Sequence, residues 1–343
     1  MVKAGNQLEA EGTDLGGMDE LEESRAVGSH GMGPEAFEAV LDQLDRVVVG
    51  KREVARLLLA AMVAGGHVLL VDVPGVAKTR LSRAFAASLA LGFQRIQGTP
   101  DLLPGDVVGV SVYDPRTADF TYRPGPVLSH LVLVDEINRA TPRTQAALLE
   151  CMEERQVTVD GATHPVPEPF MVLATENPVE MEGTYPLPEA QLDRFLLSTT
   201  VGYPSAAEEL DMLRRLGTDD PLATLTPVAS AADVATWRRE AARVRVDPVV
   251  EQYVVALVRA TREQPGIRLG ASPRATLALI RTVRAWAYLN GRAYVLPDDV
   301  KAMAVPVLGH RLLMAADAEV LGDSGADAVR RVLEVVAAPT ETP

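Results

Sequence analysis

Cysteine is nearly absent. Cys151 stands alone in 343 residues, so no disulfide framework can form within the chain, and a reducing compartment such as the cytoplasm is the expectation. Positive charge is also scarce. Lys and Arg number 33 against 47 Asp and Glu, a balance of −14 with a pI near 4.9. A general nucleic-acid binder carries a basic face, so no nucleic-acid partner is expected, although a local basic channel stays open. No charge-free apolar run reaches the ~20 residues that cross a bilayer. The longest, residues 57–71, is interrupted by Gly65-Gly66-His67, so no membrane span is expected. Residues 1–17 lack an apolar stretch behind a basic head, and no secretory leader is read there. The histidines His30, His67, His130, His164 and His310 show no metal-ligand spacing with one another or with Cys151. No G-x-S-x-G elbow occurs. Cys151, beside Leu148, Leu149 and Met152, reads as a core thiol rather than a nucleophile.

What is present divides the chain into unequal parts. Residues 1–33 hold seven acidic residues against Lys3 and Arg25 and no aromatic residue, and are expected to remain a disordered, solubilising tail. From Pro34, Phe37, Val40, Leu41 and Leu44 repeat at helical spacing, and 53–64 is a second apolar helix. Short continuous apolar runs follow at 68–71, 93–96, 131–134, 170–174 and 195–200, several of them separated by helical stretches. Buried strands alternating with helices predict an α/β domain over 34–204 with a parallel sheet covered on both faces. Two stretches, 107–125 and 155–167, read as hairpins inserted into this core; the second turns on Asp160-Gly161. After Tyr203-Pro204 the strand pattern stops. Segments 206–217, 231–245, 248–263, 273–289 and 297–315 read as helices of a second, all-helical domain over 205–338, with 339–343 as a tail.

The chemistry concentrates at strand ends. Val71-Asp72-Val73-Pro74-Gly75-Val76-Ala77-Lys78-Thr79 is an apolar strand, a Pro-Gly turn and then a helix, the context of a phosphate-binding loop. Helix-start N–H groups would face an anion. Lys78 would reach the outer phosphates, and the Thr79 hydroxyl would coordinate Mg²⁺. The G-x-x-x-x-G-K-[ST] pattern is broken twice, by Asp72 and by Ala77. Alanine at a helix start is mild, whereas a carboxylate at position 72 would repel a triphosphate if it faced one. Leu131-Val132-Leu133-Val134 then ends in Asp135-Glu136, at the carboxyl end of the sheet where ligands bind. Asp135 would hold Mg²⁺ through water and Glu136 would polarise the attacking water. Asn177 ends another strand and would orient that water or sense the γ-phosphate; a turn-forming Asn-Pro is the plainer reading. Arg194 precedes the last strand, and Arg274 sits in the first turn of a helix, where the helix dipole disfavours a cation unless a phosphate or solvent compensates.

The order of these motifs resembles the AAA+ ATPases, and among them the MoxR family. The segments that carry it include Val49-Gly50, Val73-Pro74-Gly75-Val76-Ala77-Lys78-Thr79-Arg80-Leu81, Thr99-Pro100-Asp101-Leu102-Leu103-Pro104-Gly105-Asp106, Asp135-Glu136-Ile137-Asn138-Arg139-Ala140 and Gly183-Thr184-Tyr185-Pro186-Leu187-Pro188-Glu189-Ala190-Gln191-Leu192-Asp193-Arg194-Phe195. The likeness runs from about residue 35 to about 315. It implies an αβα core with two inserts and a helical lid, with ATP and Mg²⁺ bound in the cleft between core and lid. It implies Walker A binding by Pro74, Gly75, Val76, Ala77, Lys78, Thr79 and Arg80, with Lys78 and Thr79 as the central pair, and an adenine pocket lined by Val49 and Gly50. It further implies a Walker B pair in Asp135 and Glu136, sensor 1 in Asn177, an arginine finger in Arg194 and sensor 2 in Arg274, with Arg139 as a possible second interface residue. A homo-oligomeric ring, usually of six, chaperone-like remodelling and a von Willebrand factor A domain partner also follow from the resemblance. Glycine is usual in the family where Asp72 stands. Two rival expectations therefore stand beside an active ATPase: a nucleotide-binding scaffold with weak hydrolysis because of Asp72, and a nucleic-acid motor.

Overall fold

The computed structural model describes residues 33–73, 75–178, 183–215 and 220–339. The acidic segment 1–32, Pro74 and residues 340–343 lie outside the described residues, as do positions 216–219, on which the end of one expected helix falls.

Pro34 opens helix α1 (Pro34–Val47), whose Phe37, Val40, Leu41 and Leu44 are buried. Helix α2 (Arg52–Ala64) ends on Gly65 in the left-handed conformation, a common helix stop. The chain then alternates: β1 (Val68–Val71), α3 (Lys78–Ser88), β2 (Phe93–Gln97) and a short helix α4 (Pro104–Val108). Strands β3 (Gly109–Asp114) and β4 (Asp119–Pro124) form the first insert, an antiparallel hairpin. Strand β5 (Leu131–Asp135) and helix α5 (Pro142–Glu154) return to the core. The second insert pairs β6 (Gln156–Val159) with β7 (Ala162–Pro165), and its turn residues Asp160 and Gly161 both take positive φ. The inserts lean together, with Tyr122 stacked on His164 at 4.0 Å. Strand β8 (Met171–Glu176), the one-turn α6 (Glu189–Leu192) and β9 (Leu197–Thr199) complete the core.

All five core strands are parallel, in the order β2-β5-β8-β1-β9. Strand β1 is wholly apolar because neighbours flank it and both faces are covered. Alternation divides β5 between two cores: Leu131 and Leu133 face helices α1–α3, while Val132 and Val134 face α5 and the inserts. Every strand exits toward the same end, which sets Asp72, Asp135 and Glu136, and Asn177 side by side.

The C-terminal part runs through α7 (Ala206–Arg215), α8 (Ala231–Ala241), α9 (Pro248–Ala260), α10 (Pro273–Leu289) and α11 (Pro297–Leu308), then α12 (Ala316–Val320) and α13 (Gly325–Val335). Helices α8 and α10 pack on α2, and α11 packs on β9. Trp237 and Tyr288 meet Phe37 edge-on at 4.8 and 5.3 Å, so one apolar core runs from the sheet into these helices. The helical region thus sits on the α1–α2 flank. It is not purely helical: β10 (Ile267–Leu269) pairs antiparallel with β11 (Leu313–Met314). Strands this short show no period, and the helix expected over 297–315 ends at Leu308, before a 3₁₀ turn at Gly309–Arg311.

Candidate functional site

Asp72, Val73 and Gly75 to Ala77 connect β1 to α3. Gly75 has φ 86 and Ala77 has φ 61, so the loop needs two residues in the left-handed region. Glycine enters it freely, whereas an alanine there costs roughly 1–2 kcal/mol. Among the described residues no side chain caps α3, which leaves its first N–H groups available to an anion. Lys78 is buried; its Nζ donates to the carbonyl oxygens of Asp72 at 3.1 Å and Val73 at 3.2 Å. Thr79 follows on the same turn, half-buried. An uncapped helix start with a lysine beside it suits a polyphosphate.

Asp72 does not face that anion site. Its carboxylate accepts from the backbone N–H groups of Val201, Gly202 (2.8 Å) and Val73 (3.1 Å) and is only 6% exposed. The repulsion expected of an inward carboxylate is therefore not built into the fold.

Beside the loop lies a pocket lined by Val47, Val48, Val49, Gly75, Val76, Ala77 and Arg80, and by Gly202 and Pro204. Val49 is among these lining residues. Gly50 turns with φ 72 against Glu208, whose side chain fills the place a Cβ would take. Arg80 reaches Asp220 at 2.7 Å. Among the described residues of the C-terminal part, α7 and the Pro221 turn contribute to this pocket, and none of α8–α13 does.

Asp135 and Glu136 are organised by Thr175, which is fully buried. Its hydroxyl donates to Asp135 Oδ1 at 2.7 Å and accepts from the Glu136 N–H at 2.8 Å. Arg95 bridges to Asp135 Oδ2 at 2.7 Å. Arg139 (3.2 Å) and Gln97 (3.3 Å) reach Glu136. Asn177 is buried next door, and its carbonyl accepts from Asn138 at 3.4 Å. Among the described residues no three His, Cys, Asp or Glu side chains cluster as a metal cage. The hard oxygens of Thr79 and Asp135 match Mg²⁺, which is held by few protein ligands and completed by phosphate and water.

Arg194 and Arg274 lie elsewhere. Both line a cavity of about 400 Å³ with His67, Glu153 and Leu196, and His67 immediately precedes β1. That is the amino end of the sheet, whereas the phosphate loop leaves its carboxyl end. The expectation places ATP in a cleft between core and lid; the pocket beside the loop takes its lid residues from α7 and the Pro221 turn, while the helical region on the α1–α2 flank carries Arg274 to Arg194. Each arginine pairs with Glu153, at 2.8 Å from Arg194 and 2.9 Å from Arg274. Thr175, Arg95, Gln97 and Glu153 carry no motif of their own. Thr175 is readable only as the strand residue two before Asn177, and the others emerge only from the fold.

A P-loop on a five-stranded parallel sheet, an acidic pair on the neighbouring strand exit but one and a helical region behind define an AAA+ ATPase module. Residues 67–197 match the family described as ATPase family associated with various cellular activities, and 259–332 match the AAA lid domain. The chain is 42% identical to Chaperone MoxR1 of Mycobacterium tuberculosis, over 91% of this chain and 85% of that protein. It is 34% identical to Protein MoxR of Methylorubrum extorquens, over 87% and 93% of the two chains. A crystal structure of a candidate ATPase from Cytophaga hutchinsonii superposes with a TM-score of 0.83 at 40% identity, covering 90% of this chain and 96% of that one. The chain belongs to the MoxR family of AAA+ ATPases.

Proposed function

We propose that this protein binds Mg-ATP at the Asp72–Thr79 loop and hydrolyses it only when assembled into a homo-oligomeric ring, using the cycle to remodel or activate a partner protein. One observation carries the reading: Arg194 and Arg274 stand at the amino end of the sheet, and the phosphate loop stands at the carboxyl end. A chain cannot bring its own Arg194 and Arg274 to its own γ-phosphate, so on this reading a neighbour completes the site.

Each residue then has a task. Lys78 and the α3 N–H groups hold the phosphates. Thr79, and Asp135 through water, would hold Mg²⁺, which when bound would neutralise phosphate charge. Glu136, set by Thr175, takes the proton of the attacking water, and Asn177 orients that water. Arg194 and Arg274 of the adjacent subunit stabilise the charge of the transferring phosphoryl group. The chaperone-like role rests on the relative named Chaperone MoxR1. A six-membered ring and a von Willebrand factor A domain partner rest on the resemblance of the motifs. The turned-away Asp72 carboxylate supports hydrolysis over a scaffold that hydrolyses poorly.

Subunit mixing tests this. Arg194→Ala and Glu136→Gln are each expected to be inactive alone. Mixed, the Glu136→Gln copies lend intact arginines to the intact Glu136 of the others, and activity returns. Mixtures as silent as the separate variants would overturn the shared site.

A further inference from the structure

Asp72 occupies two sites with one residue. Its backbone carbonyl accepts from Lys78 Nζ at 3.1 Å, so its main chain belongs to the phosphate loop. Its carboxylate belongs to another segment, the chain leaving β9, where it accepts from Val201 and Gly202, 129 and 130 residues further on. That segment lines the pocket beside the phosphate loop: Gly202 and Pro204 line it together with Gly75, Val76 and Ala77. A second tie holds the same segment, because Lys51 Nζ donates to the Tyr203 carbonyl at 3.1 Å. Left without the Asp72 carboxylate, the N–H groups of Val201 and Gly202 would lose an acceptor-only partner in a buried place, which favours a shift of this pocket wall.

We propose that Asp72 is a positioning residue that ties the phosphate loop to the base-pocket wall, so that the phosphates and the base of one nucleotide are gripped as a unit. The inference rests on the nucleotide reading above. It reverses the effect a carboxylate at this position would have by repulsion. Removing it should weaken binding of the whole nucleotide and leave binding of the bare phosphate chain alone.

The test is calorimetric titration of the full chain with Mg-ATP and with Mg-tripolyphosphate, for wild type, Asp72→Gly, Asp72→Asn and Lys78→Ala. Asp72→Gly is expected to lose about tenfold in ATP affinity, with tripolyphosphate unchanged to within about twofold. Asp72→Asn keeps one acceptor oxygen and should fall between. Lys78→Ala should lose both ligands. Tighter binding of both ligands by Asp72→Gly would mean electrostatic relief and overturn the proposal. An equal loss of both would mean general damage to the loop and overturn it as well. If Asp72→Gly does not fold, the ATP-to-tripolyphosphate ratio of Asp72→Asn decides by the same criteria. A wild type that binds neither ligand overturns the nucleotide reading itself, and this inference with it.

Discussion

Arg194 and Arg274 share a single counter-ion, the carboxylate of Glu153, one on each oxygen. All three side chains keep partial access to solvent, and ion pairs of this kind contribute about 0–1 kcal/mol. The pairing holds the arginines in place yet yields them cheaply to a phosphate. Glu153→Gln is accordingly expected to move the melting midpoint by no more than a few degrees. A large drop in melting temperature would show that the cluster is a structural keystone instead.

Truncating either arginine should damage turnover and spare binding. Arg194→Ala is expected to lower kcat by about 10³, and Arg274→Ala by about 10²–10³. Steady-state kinetics at saturating protein, with ATP binding measured separately, checks both. Loss of ATP binding in the isolated chain would contradict a task performed on a neighbour's nucleotide.

Thr175→Val removes the donor to Asp135 and the acceptor of the Glu136 N–H while keeping the volume. We expect kcat to fall about 10–100-fold with ATP affinity little changed, since the change disturbs catalytic positioning more than binding. Thr175→Ser should restore most of the rate. An unchanged rate in the valine variant would exclude this hydroxyl from the mechanism.

His67 provides a pH test. Its Nδ1 accepts from the Val172 N–H at 2.9 Å and its Nε2 donates to the Met152 carbonyl at 3.1 Å, so the ring is neutral. Burial, aided by Arg155, pushes its pKa down to about 3. Unfolded, it takes up a proton near pH 6.5, so below that pH the unfolded state binds more protons than the folded one. Its share of the stability is present above pH 6.5 and lost as pH falls toward 3, at about 1.4 kcal/mol per pH unit. Denaturant midpoints of His67→Gln should fall less steeply between pH 6 and 4 than those of wild type. Parallel curves would rule out this assignment.

Cys151 should resist thiol reagents in the native protein. Burial pushes its thiol pKa up to about 12, and its residue is 1% exposed. Fast labelling without denaturant would show that the helix after the acidic pair opens readily.

Some of this was legible in the residues and some was not. Val68–Val71 and Leu131–Asp135 announce themselves because buried parallel strands are continuous apolar runs, and the acids after them mark the ligand end. Asp160-Gly161 announces its hairpin through backbone conformation. The direction of Asp72 was hidden, since Val201 and Gly202 follow the neighbouring strand β9, 129 and 130 residues further along the sequence. The partner of Arg274 was hidden for the same reason. A first-turn arginine called for a compensating partner, and the fold provides Glu153, 121 residues away. The β10–β11 pair is too short to carry a pattern.

The arginine pair and the phosphate loop occupy opposite ends of the parallel sheet, so a head-to-tail contact would set the arginines of one copy against the phosphate loop of the next. Under the proposed shared site, each copy would offer one end to the copy ahead and receive from the copy behind, an interface that closes into a circle or runs on as a filament. Such an assembly has polarity. On this reading, what one nucleotide undergoes is felt first by a single neighbour, and news of hydrolysis travels around the circle in one direction.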